Sequence, residues 1–317
     1  MKKILFALLM APLMAWAWEP TKPVRVIIGF APGSGNEIQF RLLATQVQKN
    51  HPNFRYVIEN KPGADTVLAS NALYQSANDG HTISVPSYFG TYVGNDIWQK
   101  DLKPWEYNSF TNVMGMAKSP LALVANPVSR VNTPVEFLSY IKNPEKPVFV
   151  AVGSPVHRLA LEYIVLNGEA NKNLVGHINF QGPLQAVTGV ASESNIEFGI
   201  MPISVARPLV EAGKVKIIAI TGEKRLAKMP AVETLKIKGK GIDIFAAWAL
   251  MLPPNTPPDI VAWYQTNFSR ALETDEVKRH NDENFIFSNP DEATTAGFTR
   301  HIERLRNTWL PLGQKIK

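Results

Sequence analysis

The chain of 317 residues has no cysteine. That absence excludes a disulfide framework, thiolate catalysis, a cysteine metal cluster and a lipidated cysteine behind an export signal. Long apolar runs are almost as scarce. Residues 4–18 form one charge-free stretch, shorter than the roughly 20 residues a membrane span needs, and no later stretch is long enough. The six histidines, His51, His81, His157, His177, His280 and His301, show no H-x-x-x-H spacing, so no metal site and no cofactor are expected. A G-x-S-x-G nucleophile elbow is also missing. Lys and Arg number 33 against 27 Asp and Glu, a net charge of +6, and removing Lys2 and Lys3 with an export signal leaves +4. That excess is too mild for a nucleic-acid footprint.

The first seventeen residues read as that export signal. Lys2 and Lys3 open it, the apolar stretch follows, and Ala15 and Ala17 are small residues at the positions a signal peptidase reads, which places cleavage after Ala17. A cysteine-free exported chain fits a bacterial periplasm, and its length allows two domains.

The chain is organised around VRVIIGFAPGSGNEIQFRLL, residues 24–43. Residues 24–29 suit a buried parallel strand. Pro32, Gly33, Ser34 and Gly35 form a turn, with Asn36 as N-cap and Glu37 a favourable first-turn charge for a helix carrying Ile38, Phe40, Leu42 and Leu43. Free N–H groups at such a helix start hold an anion without a cationic side chain. The glycines do not spell G-x-G-x-x-G, because Ile38 stands at the third position, and no Lys-Ser or Lys-Thr pair follows for a nucleotide phosphate. A small carboxylate suits the loop better.

Strand and helix patterns alternate from there on, which argues for an α/β fold with ligands at the carboxyl ends of strands. Ser87 and Tyr88 follow such an end, and Tyr88 is placed to stack on an aromatic acid or donate to a carboxylate. Residues 148–153, VFVAVG, then Ser154, Pro155 and His157, repeat the opening design. Two such cradles are what a two-lobed receptor needs, each lobe offering helix N-termini to one ligand. Phe180, Gln181 and Gly182 form a further strand end. Ser154 three residues before His157 also raises a hydrolase reading, against which helix capping by Ser154 is the plainer account. Lysines and an arginine between Lys214 and Lys240 are dispersed and read as a solvated face. Helices are expected near residues 65–77, 259–272 and 291–309.

These stretches together resemble the periplasmic substrate-binding receptors of tripartite tricarboxylate transporters, the Bug receptors. The resemblance rests on PVRV leading into FAPG (residues 23–33), ENKPGA (59–64), DGHT (79–82), GSPVH (153–157), FQG (180–182) and AGKVK with AIT (212–221). It implies a type II periplasmic-binding-protein fold of two lobes, each a mostly parallel sheet flanked by helices. Residues 18–119 with 245–317 would form one lobe and 120–244 the other. It also implies a small organic acid held in the cleft by Phe30, Ala31, Pro32, Gly33, Ser34, Gly35, Asn36 and Glu37 from the first lobe. Ser87 and Tyr88, then Gly153, Ser154, His157, Phe180, Gln181 and Gly182 complete the expected site. Ser34 stands where a second glycine is usual, Glu37 where Asp is, Gln181 where Lys often follows the aromatic, and Met201 where Asp is frequent. The expected protein is a monomeric receptor, not an enzyme, that delivers a mono- or dicarboxylate, or an aromatic acid, to membrane transporter subunits. A periplasmic sensor for a two-component system and an exported hydrolase are the alternatives.

Overall fold

The computed structural model describes residues 18–192 and 195–316; the expected export signal lies outside the described residues. The first half begins with β1 (Val24–Ile28), α1 (Gly35–Asn50), β2 (Tyr56–Asn60), α2 (Val67–Tyr74) and β3 (Thr82–Ser84). After α3 (Asn95–Trp98), the fifteen-residue β4 (Thr111–Ala125) leads into α4 (Pro134–Lys142), β5 (Val148–Val152), α5 (Pro155–Asn167), β6 (Val175–Asn179) and α6 (Pro183–Ser192). Next come β7 (Phe198–Pro202), α7 (Ile203–Glu211), β8 (Lys216–Ile220) and a hairpin of β9 (Lys236–Ile237) and β10 (Lys240–Gly241). The chain finishes with β11 (Phe245–Leu252), α8 (Pro258–Leu272), α9 (Asp275–Glu283) and α10 (Thr295–Ile316).

Within β1, Val24, Val26, Ile27 and Ile28 are wholly buried, because the strand is flanked by β2 and β3, both parallel to it, and covered on both faces. Arg25 is its half-exposed member and meets Glu59 of β2 at 2.5 Å. The nine-stranded sheet runs β2-β1-β3-β11-β4-β7-β5-β6, with β8 also on β4. Two separate sheets were expected from the sequence; the hydrogen-bonded path is instead continuous, because β4 serves both halves. Its residues 111–120 pair with β11, and residues 121–125 pair with β7 and β8. Pro120, at the changeover, has no N–H to give to either ladder. We propose this point, with residue 244 on the return, as the boundary between lobes of residues 18–119 with 245–317 and 120–244.

Phe40, Phe54, Tyr264 and Phe268 pack under the first half, each at most 1 % exposed, and each such side chain contributes about 1.5–3 kcal/mol on burial. Under the second half lie Val187, Val190, Ile203 and Ile220. Where a helix was expected over residues 65–77, α2 is shorter, because Ala64, Asp65 and Thr66 hold left-handed backbone at φ 46°, 52° and 77°. The two expected closing helices are three. α9 buries only Val277 and Asn281 among its nine residues, too little for an apolar stripe to reveal it.

Candidate functional site

Several strand ends and helix starts meet along one edge of the sheet. Between β1 and α1, Gly33 takes φ +83°, the left-handed region that favours glycine. Gly35 is required for a different reason: a Cβ there would lie 2.5 Å from the Trp248 ring. Ser34, not Asn36, occupies the N-cap position, yet its side chain makes no cap hydrogen bond and its buried Oγ has no partner. Asn36 Nδ2 instead donates to Val85 O at 2.6 Å, tying the loop to the end of β3. Glu37 accepts from Arg41 at 2.9 Å and from Asn60 Nδ2 at 3.1 Å, and Asn60 also donates to Phe30 O.

In the second cradle Ser154 precedes Pro155 at the start of α5. The expected cap is not made; Ser154 Oγ is buried without a partner. His157, 1 % exposed, accepts from Gly153 N–H through Nδ1 at 3.2 Å. Burial pushes its pKa down to about 3, so the ring is neutral at neutral pH and carries its proton on Nε2. The hydrolase arrangement is therefore not assembled: Ser154 Oγ has no hydrogen bond to His157, and the imidazole is a poor base. A Cβ on Gly153 would come 2.4 Å from the Gly182 carbonyl, so glycine is what lets these two loops touch.

The two halves close on each other here. Ala31 N–H donates to Gln181 O at 3.2 Å, and a Cβ on Gly33 would lie 2.9 Å from Leu184. Between them is an inner cavity of about 10 Å³, walled by Phe30, Asn36, Ser87, Ser154, His157 and Trp248 among others. That is room for about one water, so admitting a carboxylate requires the halves to part. The starts of α1, α5, α6 and α7 (Gly35, Ser154, Pro183 and Pro202) border it, and among the described residues no ionised side chain does. Ser87 Oγ, like that of Ser154, is buried and unpartnered. Helix starts, two free hydroxyls and a neutral imidazole N–H form a donor-rich, uncharged wall suited to an anion. An outer cavity of about 310 Å³ shares Phe30 and Ser154 and adds Asp65, Thr66, Gln99, Asn179, Phe180 and Gln181.

Most expected site residues are thus brought together, with exceptions. Tyr88 is turned away: its ring packs on Phe298 and His301 of α10, and its hydroxyl donates to Glu292 at 3.3 Å. Glu37 braces the loop through Arg41 and Asn60, and Pro32 is exposed at the rim. Residues not foreseen are Trp248, Pro202, Asp65, Thr66 and Gln99. Trp248 had only a faint signal, the larger of two rings in FAAWALML, and its contact with Gly35 was not readable.

This architecture is that of periplasmic binding proteins. The malate-bound protein MatC of Rhodopseudomonas palustris superposes with a TM-score of 0.84 at 22 % identity, covering 93 % of this chain and 100 % of that one. A second R. palustris protein, solved with adipate, gives 0.85 at 20 % identity over 94 % and 98 %. Residues 40–304 match the tripartite tricarboxylate transporter family receptors, and the chain belongs to that family. It is a family of solute-binding proteins, not of enzymes. The "UPF0065 protein in gbd 5'region" of Cupriavidus necator is 31 % identical over 264 residues, 80 % of this chain and 76 % of that protein.

Proposed function

We propose that this receptor works in the periplasm, cleaved from its signal near Ala17, and captures a small mono- or dicarboxylate for delivery to tripartite tricarboxylate-type membrane subunits. The observation that carries the ligand class is the inner cavity. Four helix starts, unpartnered Ser87 and Ser154 hydroxyls and the neutral His157 converge on it, with no ionised side chain among the described residues. One carboxylate would be held there by backbone amides, these hydroxyls and His157 Nε2, with the halves closing over it. Malate and adipate in the two R. palustris proteins support a carboxylate in general. The position of Tyr88 withdraws the basis for an aromatic ligand.

A thermal-shift screen of small organic acids tests this. At about 100 times the dissociation constant, a ligand specific to the folded state stabilises it by about 2.7 kcal/mol. Gly35→Val, which drives a branched side chain into the Trp248 ring, is expected to weaken binding at least about tenfold more than Arg158→Ala, a gap of about 1.4 kcal/mol. The Arg158 guanidinium sits 4.5 Å over the Trp98 ring and borders neither cavity. Neutral sugars or cations shifting the melting curve while no carboxylate does would disprove the reading.

A further inference from the structure

The outer cavity carries features that the capture of one carboxylate does not use. Asp65 accepts from Gln99 Nε2 at 2.8 Å, and no Lys, Arg or His lies within 4 Å of its carboxylate among the described residues. A half-buried carboxylate with no ion pair, its charge felt by His177 only from beyond that distance, is an odd wall for a cleft that takes anions. It is also held deliberately. Ala64, Asp65 and Thr66 are three successive non-glycine residues in the left-handed region, where a β-branched threonine is an outlier. Such strain persists where the surroundings over-determine it, and it concentrates at ligand sites. Thr66, 4 % exposed, lines this cavity, and its Oγ1 is buried with no hydrogen-bond partner among the described residues. Across from it stand Asn179 and Gln181 from the other half.

We infer that the outer cavity is a second subsite, in which Asp65, with Thr66 and Gln99, selects a ligand whose far end is an ammonium group. The preferred solute is then an amino-carboxylate, its anionic end in the inner cradle and its cationic end at Asp65. A second carboxylate in that place faces like-charge repulsion from Asp65 in a partly desolvated setting. This rests on the inner cavity holding a carboxylate, as proposed above.

Two matched series decide it by calorimetric titration of the full receptor: butanoate, succinate and 4-aminobutanoate, then hexanoate, adipate and 6-aminohexanoate. In at least one series the amino acid is expected to bind at least about tenfold more tightly than its dicarboxylate and its neutral-ended partner. Asp65→Asn, which keeps the shape and the Gln99 contact, is expected to abolish that preference. A dicarboxylate binding more tightly in both series, or a preference unchanged in Asp65→Asn, overturns the inference. Should Asp65→Asn fail to fold, the wild-type order alone decides. If acids bind and Gly35→Val removes them while Asp65 has no influence, only this inference falls. If no acid of either series binds, the inner-cavity reading falls with it.

Discussion

A serine three residues before a histidine invites the picture of a nucleophile and its base, and at residue scale burial is what removes it. His157 is enclosed, so protonating it in the folded state is costly, and its pKa falls from 6.5 to about 3. The unfolded chain takes up that proton below pH 6.5 while the folded chain does not. Stability from this group is therefore complete above about pH 6.5 and is lost by about 1.4 kcal/mol per pH unit on descending toward pH 3. Burial also lowers the pKa of His177, His280 and His301, so the comparison must isolate one residue. Urea denaturation of the wild type and His157→Gln at pH 6.5 and pH 5 is expected to show the wild type losing about 1.6 kcal/mol more over that interval. Parallel curves would contradict the neutral, buried imidazole.

Among elements, the last helix depends on one aspartate. Asp96, in α3, meets Lys103 Nζ at 2.6 Å and Arg306 Nη1 of α10 at 2.5 Å, and the Lys103 side chain is only 2 % exposed. Arg306 also lies over the Tyr107 ring. This network fastens α10 to α3 and to the segment that follows it. Asp96→Ala leaves the nearly buried Arg306 guanidinium without its anion and the buried Lys103 ammonium with only the exposed Glu106 carboxylate at 3.7 Å, an expected loss of about 3–5 kcal/mol in denaturant unfolding. A loss below about 1 kcal/mol would mean that apolar contacts along α10 hold it alone.

For the whole molecule the governing contact is the one between halves. Ala31 N–H to Gln181 O and the approach of Gly33 to Leu184 leave only about 10 Å³ in the inner cavity, so an acid held there, as proposed, would enter with this seam open. Leu184 is 38 % exposed at the start of α6. Leu184→Trp is expected to change stability by no more than about 0.5 kcal/mol. Affinity should weaken by about tenfold or more, as a wedge prevents closure, with a larger radius of gyration in X-ray scattering of the ligand-saturated protein. Unchanged affinity would show that this seam does not report on closure.

Local pattern was enough for the alternation of strands and helices, because β1, β5 and β8 are short buried runs bounded by turn residues, and for both cradles, because glycine and proline mark where a strand gives way to a helix. The same pattern pointed to Ser87, Ser154 and His157. It was silent wherever a role depends on direction or on distant partners. Tyr88 and Ser87 are adjacent, and only the packing of α10 against β11 and β4 decided that one faces the core and the other the cleft. Trp248 comes to Gly35 from 213 positions along the chain, a contact that no local period encodes. Asp65 and Thr66 read as the start of a helix, since each alone tolerates one; the left-handed turn is imposed by the close approach of Thr66 to Gly29 at the end of β1 and by the Gln99 hydrogen bond to Asp65. β4 joins both halves of the sheet, its first half matched by β11 more than a hundred residues later, and strand pairing over such a separation is a property of the folded chain, not of local pattern.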